Sequence, residues 1–211
     1  MVTRKEPESG PRLCIPSGGV GGIKLLIGML HKRQRAVFLD LNGTLVLPIK
    51  PQSLKELMLI EGAGLEIARL SGAGFLCPVI TVQSRINKGI FSLEEFLDWF
   101  DSFASNLRVG GAHLLGPYVC PHRFNEPCEC KKQTTLLYRV AADEHGIDLQ
   151  RSFVIGDSAE DVCAAKRFGG QGCLVRTGWA KDMAVVEHAL PYSSFVAESL
   201  GRAVDWILAQ S

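Results

Sequence analysis

The sequence of 211 residues lacks any apolar run long enough to cross a bilayer, so no helical membrane span organises it. It lacks an excess of either charge. Lys and Arg number 23 against 22 Asp and Glu, a formal net charge of +1. No broad attraction to nucleic acid or to a membrane surface follows, and any affinity for anions must come from a local site. There is no internal repeat. There is also no even set of cysteines: of seven, three fall within residues 120–130. That argues against a full disulfide framework and for a reducing compartment with a metal site. The apolar residues 20–30 are broken by Lys24, preceded by Glu6 and Glu8, and followed by no small-x-small cleavage pattern. They are therefore not read as a secretory signal, and the expected location is the cytoplasm. What is present is a globular composition, 46% hydrophobic, at a length that suits one domain with a sizeable core.

Residues 1–22 are rich in Gly, Pro, Ser and charge and read as a flexible tail. Residues 23–31 have the pattern of one or two helical turns, and the basic residues 32–35 read as a solvated lead-in to the first strand. The expected division is thus an extension over 1–35 and a folded domain over 36–211, with Met29 as an alternative start. Beyond it, apolar runs bounded by turn residues predict strands over 36–40, 75–82, 113–120, 152–156 and 172–176. Helical spacing and stop signals predict helices over 62–70, 92–107, 134–145, 159–168, 183–190 and 200–209. Ser92 with Glu95 has the form of a capping box. Strands alternating with helices make this an α/β chain with a parallel, doubly wound sheet.

The stretch that organises the rest is Phe38-Leu39-Asp40-Leu41-Asn42-Gly43-Thr44-Leu45. It places Asp40 at the carboxyl end of a central strand, where open α/β sheets carry their chemistry. Gly43 lets the backbone approach an anion closely, and the amides after it can form an anion-binding nest. A carboxylate beside an anion cradle calls for a cation between them. A phosphate ester as ligand, Mg²⁺ as bridge and Asp40 as nucleophile satisfy that need; an Asx-type turn ending a strand is the alternative. The loop Pro48-Ile49-Lys50-Pro51, just downstream, stands where a substrate is gripped. Three further positions should converge on Asp40: the Thr81 hydroxyl for a phosphoryl oxygen, Lys132 for developing charge, and Asp157 for Mg²⁺. Asp161, four residues on, reads equally as a metal ligand or as an acid favoured by a helix N-terminus.

A second constellation is Cys120, His122, Cys128 and Cys130. Three thiols and an imidazole in eleven residues match a closed Cys₃His tetrahedral zinc site, structural because no position is left for water. A Cys128–Cys130 disulfide would be strained. The metal would rigidify a loop that delivers Lys131 and Lys132.

The first motif resembles the nucleophile motif of the haloacid dehalogenase superfamily, written Asp-x-Asp-Gly-Thr in its phosphatases. With the zinc loop, the basic pair after it and Thr81-Val82-Gln83-Ser84, the chain resembles the D-glycero-D-manno-heptose 1,7-bisphosphate phosphatases and the related histidinol-phosphate phosphatases over residues 36 to about 180. The resemblance implies a Rossmann-like fold without a large cap domain, and no insertion here is long enough to make one. It implies catalytic roles for Asp40, Asn42, Thr81 and Lys132, and substrate binding by Gln83, Ser84 and Lys131. Mg²⁺ would be held by Asp40, Asp157 and the backbone carbonyl of Asn42, and Zn²⁺ by Cys120, His122, Cys128 and Cys130.

The departures are Val82 for the usual Asn, Ser158 where Lys is frequent, and above all Asn42, which stands where the family has its general acid and base. An amide cannot donate a carboxyl proton or activate water. Three readings follow. The first is a Mg²⁺-dependent sugar-phosphate phosphatase, with the heptose bisphosphate or histidinol phosphate as substrate. The second is a catalytically impaired phosphosugar-binding protein, and the third a zinc-loop protein acting through protein contacts. The retained Asp40, Thr81, Lys132 and Asp157 favour the first. The expected partner is a small phosphorylated sugar, with no nucleic acid and no membrane, and the expected state is a monomer.

Overall fold

The computed structural model describes residues 33–123 and 125–210. The expected tail, the turns over 23–31 and the Met29 start lie outside them. Five of the strands are those expected: β1 (Val37–Leu39), β4 (Cys77–Val82), β5 (Leu114–Cys120), β6 (Phe153–Gly156) and β7 (Gln171–Val175). Three were not expected. Two are the two-residue partners of a small antiparallel hairpin, β2 (Val46–Leu47) and β3 (Met58–Leu59), and the third is β8 (Phe195–Ala197). The helices are α1 (Ala63–Gly72), α2 (Leu93–Arg108), α3 (Leu136–His145), α4 (Ala159–Phe168), α5 (Met183–Ala189) and α6 (Leu200–Leu208).

The main sheet has six strands in the order β5-β4-β1-β6-β7-β8, with all pairs parallel. Side chains alternate across β1. Val37 and Leu39 enter a core with α1, α2 and α6, while Phe38 enters a second core with α3 and α4. Each face is therefore covered by helices, which is why the strands read as unbroken apolar runs rather than alternating ones. Pro117 is tolerated because β5 is an edge strand, and the register shifts beside Pro78 in β4. A local signal sets the start of α2 as expected. Ser92 Oγ accepts from Glu95 N at 3.0 Å, and Glu95 Oε2 accepts from Ser92 N at 2.6 Å, so the capping box closes in both directions.

What this topology does for the site is simple. The chain winds outward from β1 to β5, then returns to β6 on the other side of β1. The carboxyl ends of β1 and β6 thus lie side by side where the winding reverses, the place at which open α/β sheets form their crevice. No helix among the described residues is long and apolar enough to cross a membrane.

Candidate active site

Asp40 and Asp157 each follow the last residues of neighbouring strands, with Leu39 in register with Ile155. Asp161 sits on the first turn of α4, and Lys132 arrives from the short 3-10 turn that follows the zinc-type loop. All four are buried, Lys132 to 6% exposure. The Lys132 ammonium donates to Asp40 Oδ1 and to Asp161 Oδ1, the latter at 2.6 Å. Asp40 Oδ2 also accepts from Thr44 Oγ1 at 3.2 Å. Ligand oxygens of Asp40, Asp157 and Asp161 all lie within 4.8 Å of one another.

Three carboxyl groups share one ammonium here, so they cannot all ionise readily in so buried a place. The titration behaviour reflects this. Burial pushes Asp40 up to about 6, against the pull of Lys132. Burial, then Asp40 and Asp161, push Asp157 up to about 8. Burial alone would lower Lys132, but Asp161 and Asp40 outweigh it and hold it well above its ordinary value. Buried hard oxygen donors that need added positive charge to ionise fully fit a divalent cation such as Mg²⁺.

Asp157 is fixed by its backbone surroundings. Its Oδ2 accepts from Trp179 N at 2.7 Å. A Cβ at Gly43 would stand 2.0 Å from that oxygen, and one at Gly178 only 1.8 Å. Both residues have positive φ, +96° and +45°. Glycine is required at both places, and Thr177 Oγ1 donates to Gly43 O to join the two loops.

The predicted hydroxyl and amide residues form a chain along one rim. Gln83, buried at 2% exposure, donates through Nε2 to Thr81 Oγ1 at 2.9 Å and to Asn42 Oδ1 at 2.6 Å. Asn42 Nδ2 in turn donates to Pro48 O at 3.3 Å. The Asn42 amide is thereby held at both ends, with its acceptor end on a donor and its donor end on a carbonyl. Ser84 and Lys131 are half-buried beside Gln83 and Lys132, and no hydrogen bond joins Ser84 to this rim among the described residues.

Cys120 ends β5, and the loop after it returns His122, Cys128 and Cys130 to its side. All four ligand atoms lie within 4.8 Å. The separations are 3.7 Å from Cys120 Sγ to Cys128 Sγ, 3.7 Å to His122 Nδ1, and 3.1 Å from His122 Nδ1 to Cys130 Sγ. Zinc–sulfur arms of about 2.3 Å give a tetrahedral edge of about 3.8 Å, so the donor set fits that metal. None of the described cysteines is in a disulfide. Burial, and the neighbouring thiols, push Cys130 up. Cys120 and Cys130 belong to the core cluster of Phe38 and Tyr138, so the loop is anchored in the domain directly before Lys132.

One open reading is decided in favour of the site, and other neighbours carried no sequence signal. Asp161 joins the cluster outright, being 1% exposed and receiving Ser158 Oγ as well as Lys132. Tyr138 packs edge-on against Phe38, with ring centroids 5.2 Å apart. Its hydroxyl is buried without a hydrogen-bond partner. Burial first, then the charge of Asp161, raises its pKa well above the ordinary value. Gly178 and Trp179 gave no sequence signal beyond a Thr-Gly turn after a strand.

A carboxylate, a lysine and two further acids at the crevice of a capless doubly wound sheet define a haloacid dehalogenase-like hydrolase. A family model described as "HAD-hyrolase-like" matches residues 129–203. The chain is 36% identical over 156 residues to the D-glycero-beta-D-manno-heptose-1,7-bisphosphate 7-phosphatase of Vibrio cholerae, covering 68% of this chain and 82% of that one. It is 31% identical over 188 residues to the D-glycero-D-manno-heptose-1,7-bisphosphate 7-phosphatase of Thermosynechococcus vestitus, covering 82% and 94%. A solved D,D-heptose 1,7-bisphosphate phosphatase from B. bronchiseptica, complexed with magnesium and phosphate, superposes with a TM-score of 0.76 at 26% identity, covering 84% of this chain and 99% of that one. The chain belongs to this family of phosphoric monoester hydrolases.

Proposed function

We propose that the chain removes a phosphate from a sugar phosphate, D-glycero-D-manno-heptose 1,7-bisphosphate, through an aspartyl-phosphate on Asp40. The observation that carries this reading is the buried Asp40–Lys132–Asp161 ion network beside Asp157. A merely structural strand end has no use for three buried carboxyl groups around one ammonium, an arrangement that burial makes unfavourable. In this reading Asp40, Asp157 and the Asn42 backbone carbonyl hold Mg²⁺, which when bound neutralises charge on the phosphoryl group. An Asp40 oxygen attacks phosphorus, the bond to the sugar oxygen breaks, and the acyl phosphate is then hydrolysed to phosphate and free Asp40. Lys132 offsets the charge that develops on the phosphoryl oxygens, and Asp161 holds its ammonium in place. Thr81, positioned by Gln83, binds a phosphoryl oxygen, and Ser84 and Lys131 contact the substrate. Zinc at Cys120, His122, Cys128 and Cys130 fixes the loop that brings Lys131 and Lys132. The catalytic domain takes in the described residues from Gln34 onward, since Gln34 and Arg35 are already joined to it by backbone bonds with Gly146, Asp148 and Leu76, which moves the expected boundary at residue 36 slightly toward the N-terminus.

Asn42 supports a second reading, a protein that binds the phosphosugar and turns it over slowly. With its amide committed to Gln83 and Pro48, it has no proton for the leaving alkoxide. Loss of such help lowers rates typically 10²–10⁴-fold. Phosphate release from the heptose bisphosphate with Mg²⁺, set against histidinol phosphate, tests the first reading. Turnover that vanishes in Asp40→Asn supports it, and no release above the Asp40→Asn background on any ester leaves the binding reading.

A further inference from the structure

Two side chains meet beside the cluster, from loops that each have a backbone tie to it. Lys50 lies on the loop after β2, and Trp179 on the turn after β7. The Lys50 ammonium sits 4.4 Å from the centroid of the Trp179 ring. Trp179 cannot drift from the site, because its own backbone N–H is bound to Asp157 and the Thr177–Gly43 bond ties its loop to the nucleophile turn. Lys50 is held nearly as closely. Pro48 O takes the Asn42 amide, Pro51 is buried, and Lys50 O accepts from Gln52 Nε2. Yet both side chains face solvent. Lys50 is exposed, Trp179 is 42% exposed, and among the described residues Lys50 has no carboxylate within ion-pair distance.

A lysine and an indole in this pose invite a bland explanation, a clip between two loops. The Trp179 loop is already tied to the nucleophile turn by the Thr177–Gly43 bond and the close Gly43–Gly178 approach, that turn runs directly into β2 and the Lys50 loop, and an exposed cation–π contact adds little to this joint. A better use follows from charge. A phosphate held at the cluster repels a second anion on the same substrate. An ammonium without an acid partner, parked beside the rim on an aromatic face, offsets that repulsion. It can leave the ring for a stronger charge-assisted bond.

We propose that Lys50 and Trp179 form a second subsite for the part of the substrate beyond the scissile phosphate. Lys50 takes a second anionic group, and the uncovered indole face packs against the carbon skeleton between the two. The chemistry is that of a bis-anionic sugar ester, which deepens the phosphatase reading and rests on it.

The test compares D-glycero-D-manno-heptose 1,7-bisphosphate with the heptose 7-phosphate, which keeps the phosphate named in the relatives' activity. The native protein should prefer the bisphosphate, and in Lys50→Gln the bisphosphate-to-monophosphate ratio of kcat/KM should fall about tenfold, mainly through KM, as for loss of one charged hydrogen bond. Trp179→Phe should lower the ratio less. Lys55→Gln, an exposed lysine nearby in the chain, should leave it alone. An unchanged ratio in Lys50→Gln overturns the subsite while the phosphatase reading stands. If the protein turns over neither ester, the phosphatase reading fails separately. Tryptophan fluorescence titrations with the same two sugars and Mg²⁺ then decide the subsite. Tighter binding of the bisphosphate that is lost in Lys50→Gln supports it, and equal or absent binding overturns it.

Discussion

Two clusters of metal-ligating side chains stand either side of the tripeptide Cys130-Lys131-Lys132, and they follow opposite plans. The sulfur cluster has four soft or borderline donors and no lysine among them. It is complete as a tetrahedron, so a metal there has no position left for chemistry. The carboxylate cluster has three hard donors and a buried ammonium already bound to two of them. It is incomplete as a cage and has charge to spare. The difference teaches what each is for. In the proposed reading the first holds a loop, and the second keeps its carboxyl groups ready for a ligand that brings both a cation and an anion. The short 3-10 turn at Lys132 joins them, so the rigid cluster determines where the reactive one finds its lysine.

The comparison can be broken most severely at Lys132. Lys132→Met should lower turnover by about 10³-fold or more, in the range of lost preorganised electrostatic stabilisation. It should also destabilise the fold by about 3–5 kcal/mol, because three buried carboxylates lose their counter-ion. Added Mg²⁺ should restore part of the melting temperature but little of the activity, as thermal melts and phosphate release together would register. A variant that melts like the native protein without Mg²⁺ would mean that the carboxylates are not held as charged partners.

Metal removal should separate the two clusters next. Protein made under reducing, chelator-free conditions should carry about one equivalent of zinc by elemental analysis. Stripping it, or Cys128→Ser, should lower the melting temperature on the order of 10 °C, because a structural metal contributes directly to folding. Withdrawing Mg²⁺ alone should abolish turnover and move the melting temperature far less. Zinc-free protein with an unchanged melting curve would contradict the division of labour.

The smallest effect concerns the buried, unpartnered Tyr138 hydroxyl. Tyr138→Phe should raise stability by up to about 1 kcal/mol, since an unmatched polar group leaves the core and the ring contacts stay. A loss of stability of similar size would mean that the hydroxyl has a partner in solution.

Much of this arrangement was legible beforehand, for reasons that lie in particular residues. Asp40 and Asp157 were placed because each ends a short apolar run, and a covered parallel strand leaves its next residue at the crevice. The sulfur cluster was legible because ligand spacing is local. Asp161 stayed undecided, since an acid on a first helical turn looks the same whether it faces solvent or a lysine from a distant loop. The β2–β3 hairpin escapes sequence reading because two-residue strands have no period to detect, and Pro48 and Pro51 after β2 favour a loop. The missed β8 is only three residues long, with two half-buried. The Gln83 bridge and the Lys50–Trp179 contact depend on which loops the fold brings together, and no spacing along the chain encodes that.

In the proposed reading Asn42 is the one missing proton donor of the phosphatase site, and the direct measurement is turnover of the heptose bisphosphate by Asn42→Asp beside the native protein. The Gln83 amide would still reach one carboxyl oxygen, and the other would face the Pro48 carbonyl, a position that favours keeping its proton. Turnover should rise about 10²-fold or more, and the native protein should favour a nitrophenyl phosphate, whose leaving group needs little protonation, over the sugar ester. Equal rates for native and Asn42→Asp protein, or no turnover by either, would contradict it.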